Sequence, residues 1–291
     1  MTAEIAGGSW GTAAGGRGVF GGVMASGVEA AVTGAVNITI SGGSMGNVYG
    51  GGWAQKTNGK SIVGDVNLTI TGGTIANVFG GGSHSTSGGT TAAGNVTITV
   101  SGGNITGDIF ARGQLDGDTT EAAEVIFTGG TNYGCGVWGY SYVSGGTETE
   151  DDVKLSFDGY TGTFAGKVGG FNGIAFADGA AATFDAAAEI SNGAWEFDLS
   201  DRAAALSGTS LLTWSNADFA GDTVKVNFAD ATQAAAGWSI ADAAFTGATF
   251  DLYIGGSEIT NVAYDTEISG GDWDGWKFTD ENGTLKFKQL A

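Results

Sequence analysis

One unit is written three times between residues 34 and 123, and a fixed period of that size allows few folds. The copies read GAVNITISGGSMGNVYGGGWAQKTNGKSIV, GDVNLTITGGTIANVFGGGSHSTSGGTTAA and GNVTITVSGGNITGDIFARGQLDGDTTEAA. Gly34, Gly64 and Gly94 open them at a constant spacing of thirty residues. Each has an alternating apolar run, a Gly-Gly corner, a short run ending in an aromatic, and a variable polar loop. A unit this small cannot bury its own apolar face, so its copies must stack, each against the next.

The alternation sets the stacking geometry. Val36, Ile38 and Ile40 alternate with Asn37, Thr39 and Ser41, a period of two that gives a strand one dry and one wet face. Val66, Leu68 and Ile70, then Val96, Ile98 and Val100, repeat the dry face. Parallel strands about 4.8 Å apart turn these into three inward columns. Parallel pairing needs a long return connection, which the rest of each unit supplies. The same alignment stacks Met45, Ile75 and Ile105. Val48 and Val78 align with Ile109 only if the third copy carries one extra residue. Tyr49, Phe79 and Phe110 then form an aromatic ladder continued by Trp138, on a face the sequence leaves open.

Residues 1–33 read as an incomplete rung. Gly7-Gly8-Ser9-Trp10 matches Gly42-Gly43-Ser44-Met45, Val19-Phe20-Gly21-Gly22 matches Val48-Tyr49-Gly50-Gly51, and a Gly-rich insert, residues 11–18, separates the halves. Residues 34–180 hold regular and then degenerate rungs, with strand-and-corner phrases at Val125 to Gly130 and Val153 to Gly159. Residues 181–291 hold irregular rungs and a cap, the whole forming one continuous solenoid. Strand patterns persist at 195–199, 224–228 and 250–254, while the 30-residue period is lost. Residues 276–279 and 285–288 flank Asn282-Gly283, the strongest short hairpin signal, so an antiparallel hairpin should close the stack. Helical pattern is confined to one short turn at 201–206.

Composition agrees with many tight corners between fully bonded strands. The chain has 56 Gly and no Pro, with 42% hydrophobic residues, which sets it apart from disordered and collagen-like chains. Acidic residues outnumber basic ones 31 to 11, for a net charge of −20. That excludes nucleic acid and anionic bilayers as partners, since both need a positive face. The single cysteine, Cys135, precludes an intrachain disulfide and reads as a small buried residue. No apolar run is long enough for a transmembrane helix.

The phrases VNLTITGG, GNVYGGG and ANVFGGG resemble the secreted right-handed parallel β-helix proteins of bacteria, above all autotransporter-type passenger domains and adhesin-like surface proteins. Gly-Trp-Lys-Phe followed by Asn-Gly-Thr-Leu-Lys-Phe looks like the hairpin that closes many such passengers. The resemblance implies an all-β, right-handed parallel β-helix with rungs of about 30 residues, located outside the cell or on its surface. The opening MTAEIAGGSW has neither the basic start nor the apolar core of a signal peptide, and no translocator barrel follows Ala291. A fragment of a longer chain, or another export route, is therefore expected.

Candidate chemistry is sparse. The outward columns Asn37/Asn67/Thr97, Thr39/Thr69/Thr99 and Ser41/Thr71/Ser101 make a flat array of short polar groups suited to glycans or ice. The bland reading is that Thr is a good polar strand former. Asp108, Arg112, Asp116 and Asp118 are the best local set for a polysaccharide lyase or hydrolase, which needs convergent carboxylates, a calcium site or a basic residue; Asp116 and Asp118 lie in a Gly-rich loop. His84 has no second histidine to make a metal site. The charged bend at 147–152 reads as a solvated loop, with Ca2+ the minority reading, and no other cofactor is indicated. The turn at 270–276 holds two Asp and two Trp, and reads as hairpin packing before sugar binding. The Asn-x-Thr sequons at Asn37, Asn67, Asn95, Asn104 and Asn282 follow largely from the strand pattern. The expectation is a non-enzymatic extracellular structural or adhesin-like solenoid, self-assembling at the cell surface end to end or laterally, its N-terminal edge pairing head to tail with another subunit, with host or environmental glycans as the other partner class. The alternative is a polysaccharide lyase or hydrolase; ice binding ranks third.

Overall fold

The computed structural model describes residues 1–11, 18–85, 88–115, 119–129, 131–140, 152–177, 179–185, 189–191, 194–200, 210–214, 219–236, 238–241, 245–280 and 284–289. The architecture is a parallel β-solenoid, as the period requires. Its main wall is an eleven-stranded sheet. The strands, in order, are Thr2–Ile5, Val36–Ile40, Val66–Ile70, Val96–Val100, Ala123–Phe127, Val153–Phe157, Gly173–Phe176, Ala194–Asp198, Thr223–Phe228, Thr249–Ile254 and Ser257–Ala263. The first ten run parallel and only the last pair is antiparallel. At about 4.8 Å per strand the wall is about 50 Å long.

The inward columns stand where the alternation puts them. Val36 pairs with Val66 and then Val96, Ile38 with Leu68 and Ile98, Ile40 with Ile70 and Val100, and all nine are buried. Each such side chain removed from water stabilises the fold by roughly 1.5–3 kcal/mol. The columns do not stop at the third copy. The third one continues through Phe127, Phe157, Phe176 and Phe197, whose rings stack at 5.1–5.6 Å.

A second wall of nine strands includes Ser44–Tyr49, Thr74–Phe79, Ile109–Phe110 and Val137–Trp138. Met45, Ile75 and Ile105 are in register, and so are Val48, Val78 and Ile109. The third copy does carry an extra residue. It is absorbed at Gly107-Asp108, where the Ala76 carbonyl accepts from Gly107 and the Asn77 carboxamide accepts from Asp108.

The aromatic ladder faces away from the lumen. Met45 and Val48 both point inward with two residues between them, so the corner has reset the alternation and Tyr49 points out. Phe20, Tyr49, Phe79 and Phe110 stack at 4.4–5.2 Å with near-parallel rings. Trp138 follows in register. This is a second apolar compartment, distinct from the main core. Tyr49 donates to Gln114 Oε1 at 2.9 Å, and Ser83 donates to the same oxygen at 2.7 Å.

Glycine at the corners is imposed by backbone approach. A Cβ on Gly50 would lie 2.3 Å from the Gly80 carbonyl oxygen and 2.4 Å from Val66 Cγ1; one on Gly80 would meet the Ala111 oxygen at 2.2 Å. After the corner, Trp53–Gln55 and Lys60–Val63 enter two short parallel sheets of three and four strands before the chain returns to the main wall.

In the first rung Ser9 pairs with Ser44 and Trp10 with Met45, Val19 with Val48 and Phe20 with Tyr49, so both halves lie on the same strand. Downstream, the 195–199, 224–228 and 250–254 segments belong to the parallel wall, because their alternation still matches the lumen although their spacing does not. The cap is confined to Ser257–Ala263 and to the hairpin Trp276–Asp280 with Thr284–Gln289. The turn expected at 201–206 lies outside the described residues; a helix occurs at Ala231–Ala236. In the 270–276 turn, Trp273 and Trp276 pack on Phe287, at 5.6 and 5.1 Å.

Candidate functional site

Two outward columns run along the main wall. The first reads Thr2, Asn37, Asn67, Thr97, Glu124, Lys154, Gly173. The second reads Glu4, Thr39, Thr69, Thr99, Ile126, Ser156, Ala175, Glu196, Lys225, Asp251. Asn37, Asn67, Thr39, Thr69 and Thr99 are thus brought together as a register-matched array. Part of it is already engaged: Asn67 Nδ2 donates to Asn37 Oδ1 at 2.9 Å. The hydroxyl column ends at Ile126, so it spans three rungs.

Beyond it the face changes character. Glutamate and lysine alternate, and two adjoining grooves open beside Lys154. One, of about 290 Å³, is lined by Asn95, Thr97, Glu124, Asp152 and Lys154. The other, of about 150 Å³, is lined by Lys154, Asn172, Gly173, Trp195, Glu196 and Lys225. The second exists because Gly173 and Ala175 put almost no side chain between Lys154 and Glu196. Those two are 3.9 Å apart across the gap and both well exposed, so their pairing contributes little stability.

The polar groups here are held. Ser156 donates to Glu124 at 2.6 Å, Asn172 accepts from the Val153 amide at 2.8 Å, and Trp195 Nε1 donates to Asp222 at 2.9 Å. Carboxylates, amides and ammonium groups thus stand side by side on one outward face.

The proposed catalytic set is not assembled by the described residues. Asp108 accepts the Gly136 amide at 2.8 Å at the third-copy bulge. Arg112 occupies a glycine position of the corner and is buried. Asp116 and Asp118 lie outside the described residues, as do residues 147–151 of the charged bend; Asp152 lines the larger groove. His84 pairs with Ala54 in the three-stranded sheet, away from this face. Among the described residues no three His, Cys, Asp or Glu side chains converge as for a metal ion, and no helix is long and apolar enough to cross a membrane.

Cys135 sits in the lumen with Tyr133 and Tyr160. Burial pushes its thiol up to about 12, which disfavours the thiolate at neutral pH. Burial raises Tyr133 to about 12 and raises Tyr160 as well.

Sequence reasoning missed Glu124, Asp152, Lys154, Glu196 and Lys225. The signal was present: AEVIF and VKLSF carry charge in the first outward column, AWEFD and TVKVNF in the second. Reading it required extending the alignment past the point where the period fails. Comparison of the chain with protein-family models, with the curated proteins and with the solved structures found no match.

Proposed function

We propose that this chain is a non-enzymatic, extracellular, adhesin-like structural solenoid whose long outward face holds an extended glycan. The observation that carries the reading is the main wall itself. One side is a column of dry, register-locked side chains; the other is a track of short polar groups leading into the Lys154 grooves. Rigidity comes from the columns, and recognition from the track. The repeated GNVYGGG-type phrases, which resemble bacterial surface solenoids, support an extracellular setting.

The test is incubation with immobilised and soluble acidic and neutral polysaccharides, with and without Ca2+. The expected outcome is retention without turnover, reduced several-fold in Lys154→Ala/Lys225→Ala. Release of new reducing ends or unsaturated sugars would replace this reading with the lyase or hydrolase one. Absence of retention on every glycan would remove the recognition half.

A further inference from the structure

The charges around the two grooves alternate rather than cluster. From Glu124 to Asp251 they cross six neighbouring strands of the main wall, about 24 Å at about 4.8 Å per strand. Lys154 pairs in register with Glu124 on one side, and its ammonium lies 3.9 Å from Glu196 on the other. Lys225 pairs with Glu196 and with Asp251. Asp152 adds a further carboxylate to the larger groove. Each lysine thus stands between acidic neighbours. Charges this close are hardly screened from one another by salt, whose Debye length is about 10 Å at 0.1 M, so neither lysine offers a ligand an isolated positive charge.

We propose, resting on the glycan-binding reading above, that this track selects an uncharged linear glycan, built of hydroxyl- or acetamido-bearing sugars, and rejects uronate- or sulfate-bearing ones. A carboxylate only accepts hydrogen bonds and an ammonium only donates them. A ligand that crosses both in alternation must accept and donate at every step. Sugar hydroxyls and acetamido groups do both; an ionised acid or a protonated amine does one. Charge acts in the same direction. A polyanion would lie against Glu124, Asp152, Glu196 and Asp251 on a molecule carrying −20, a repulsive element built into the site. A polyamine would set its cations against Lys154 and Lys225. The relief of the face suits a sugar ring: half-buried Gly173 and Ala175 keep the floor low between Lys154 and Glu196, with Asn172 and Trp195 lining the same groove. A pyranose unit in an extended chain is about as long as one strand spacing, so about five units cover the track.

Titration calorimetry on the full chain compares neutral glucose and N-acetylglucosamine oligomers of increasing length with galacturonate and glucosamine oligomers of the same lengths. A neutral series should bind, gain affinity up to about five units and then level off, and added salt should leave its affinity unchanged. The two charged series should bind at least several-fold more weakly. Gly173→Thr fills the gap beside Lys154. Within 4 Å its Cβ would meet only Lys154 Cγ, at 3.9 Å, and threonine suits a strand, so the fold is kept, as circular dichroism checks. It should weaken neutral binding several-fold. Glu196→Gln/Asp251→Asn removes the acidic neighbours of Lys225 while preserving side-chain shape, and should admit galacturonate. Wild-type preference for galacturonate or glucosamine, unchanged neutral binding in Gly173→Thr, or no gain of galacturonate in the double variant would each overturn this selection and leave glycan recognition standing. Binding of no oligomer in any series would remove both.

Discussion

The two halves of the solenoid fill the same lumen by different means. Residues 34–123 use small branched aliphatics in strict columns and send their aromatics outward into a separate ladder. From Phe127 onward the aromatics move inside, and Phe127, Phe157, Phe164, Phe176 and Phe184 pack face to face and edge to face. The connections shorten one strand further on, after Val153–Phe157. The register step between neighbouring wall strands is 30 residues from Val66 to Val96, but Lys154 pairs with Gly173 and Ile174 with Trp195. The short third and fourth sheets end, and with them the glycine triplets. A rung with a fixed loop can repeat one solution; a shortened rung must find its own, and bulky rings adapt by tilting where aliphatic columns cannot. The lesson is that register along the wall, rather than repeat length, is what the fold conserves along its axis.

If so, the two halves should respond differently to added atoms. Gly80→Ala places a methyl group 2.2 Å from a backbone oxygen and 2.4 Å from Val96 Cγ1. Backbone must move, and we expect a loss above about 3 kcal/mol in urea unfolding. Gly221→Ala in the C-terminal half meets no atom within 4 Å, and only its φ of 84° opposes a side chain. It should lose about 1 kcal/mol. Equal losses would mean the corner is not close-packed.

Removing atoms should reverse the ranking. Phe157→Ala strips a ring that touches Phe127, Tyr160, Phe164, Phe176 and Phe184, and is expected to lose about 4 kcal/mol. Leu68→Ala in the middle aliphatic column should lose about 3 kcal/mol. A smaller effect for Phe157 than for Leu68 would show that the aromatic half relaxes around the cavity and is the softer of the two.

The aromatic half also holds the molecule's alkaline sensitivity. Tyr160 is fully buried, and its hydroxyl has no hydrogen-bond partner among the described residues. Tyr160→Phe should therefore raise stability by about 1 kcal/mol at neutral pH. Cys135 rises from 9.0 to about 12 and Tyr133 from 10.0 to about 12 on folding, in both cases chiefly through burial. Groups whose folded value is raised stabilise fully below their unfolded value and lose that contribution as pH climbs toward the folded one. Melting temperature should thus hold up to about pH 9 and fall steeply toward about pH 12, less so in Cys135→Ala. A flat profile over that window would place these groups in contact with water.

The wall was legible wherever alternation survived, because period two alone decides which side chains enter the lumen. Val36, Val66 and Val96 announce themselves; Val224 and Phe250 do so only once the strand is accepted without its period. The single extra residue before Ile109 was legible from the mismatch between Ile105 and Ile109. What stayed hidden was three-dimensional. The outward side of Tyr49 depends on how the Gly46-Asn47 corner resets the strand, which no local pattern encodes. The Lys154 grooves depend on Gly173 standing opposite Lys154, a pairing across a shortened loop. The Asn37 and Asn67 pairing was visible as a column, but its hydrogen bond required the amide orientation.

That hydrogen bond supplies the smallest and most discriminating test between the halves. Asn67 is exposed and donates to Asn37 at 2.9 Å, and Asn77 donates to Asn47 at the same distance on the second wall, where it is part-buried. Both bonds exist only because copies are in strict register; among the described residues of the C-terminal half the register-matched pair of this kind is between hydroxyls, Thr223 with Thr249 at 3.3 Å. An exposed amide pair competes with water, so Asn67→Ala should lose about 0.5 kcal/mol. Asn77→Ala should lose more, about 1.5 kcal/mol, since its Oδ1 also accepts the Asp108 amide that anchors the third-copy bulge. Denaturant titration of the two variants reads the difference directly. Should Asn67→Ala prove as damaging as Asn77→Ala, the outward array would be a stability device, and its availability to a ligand would be correspondingly reduced.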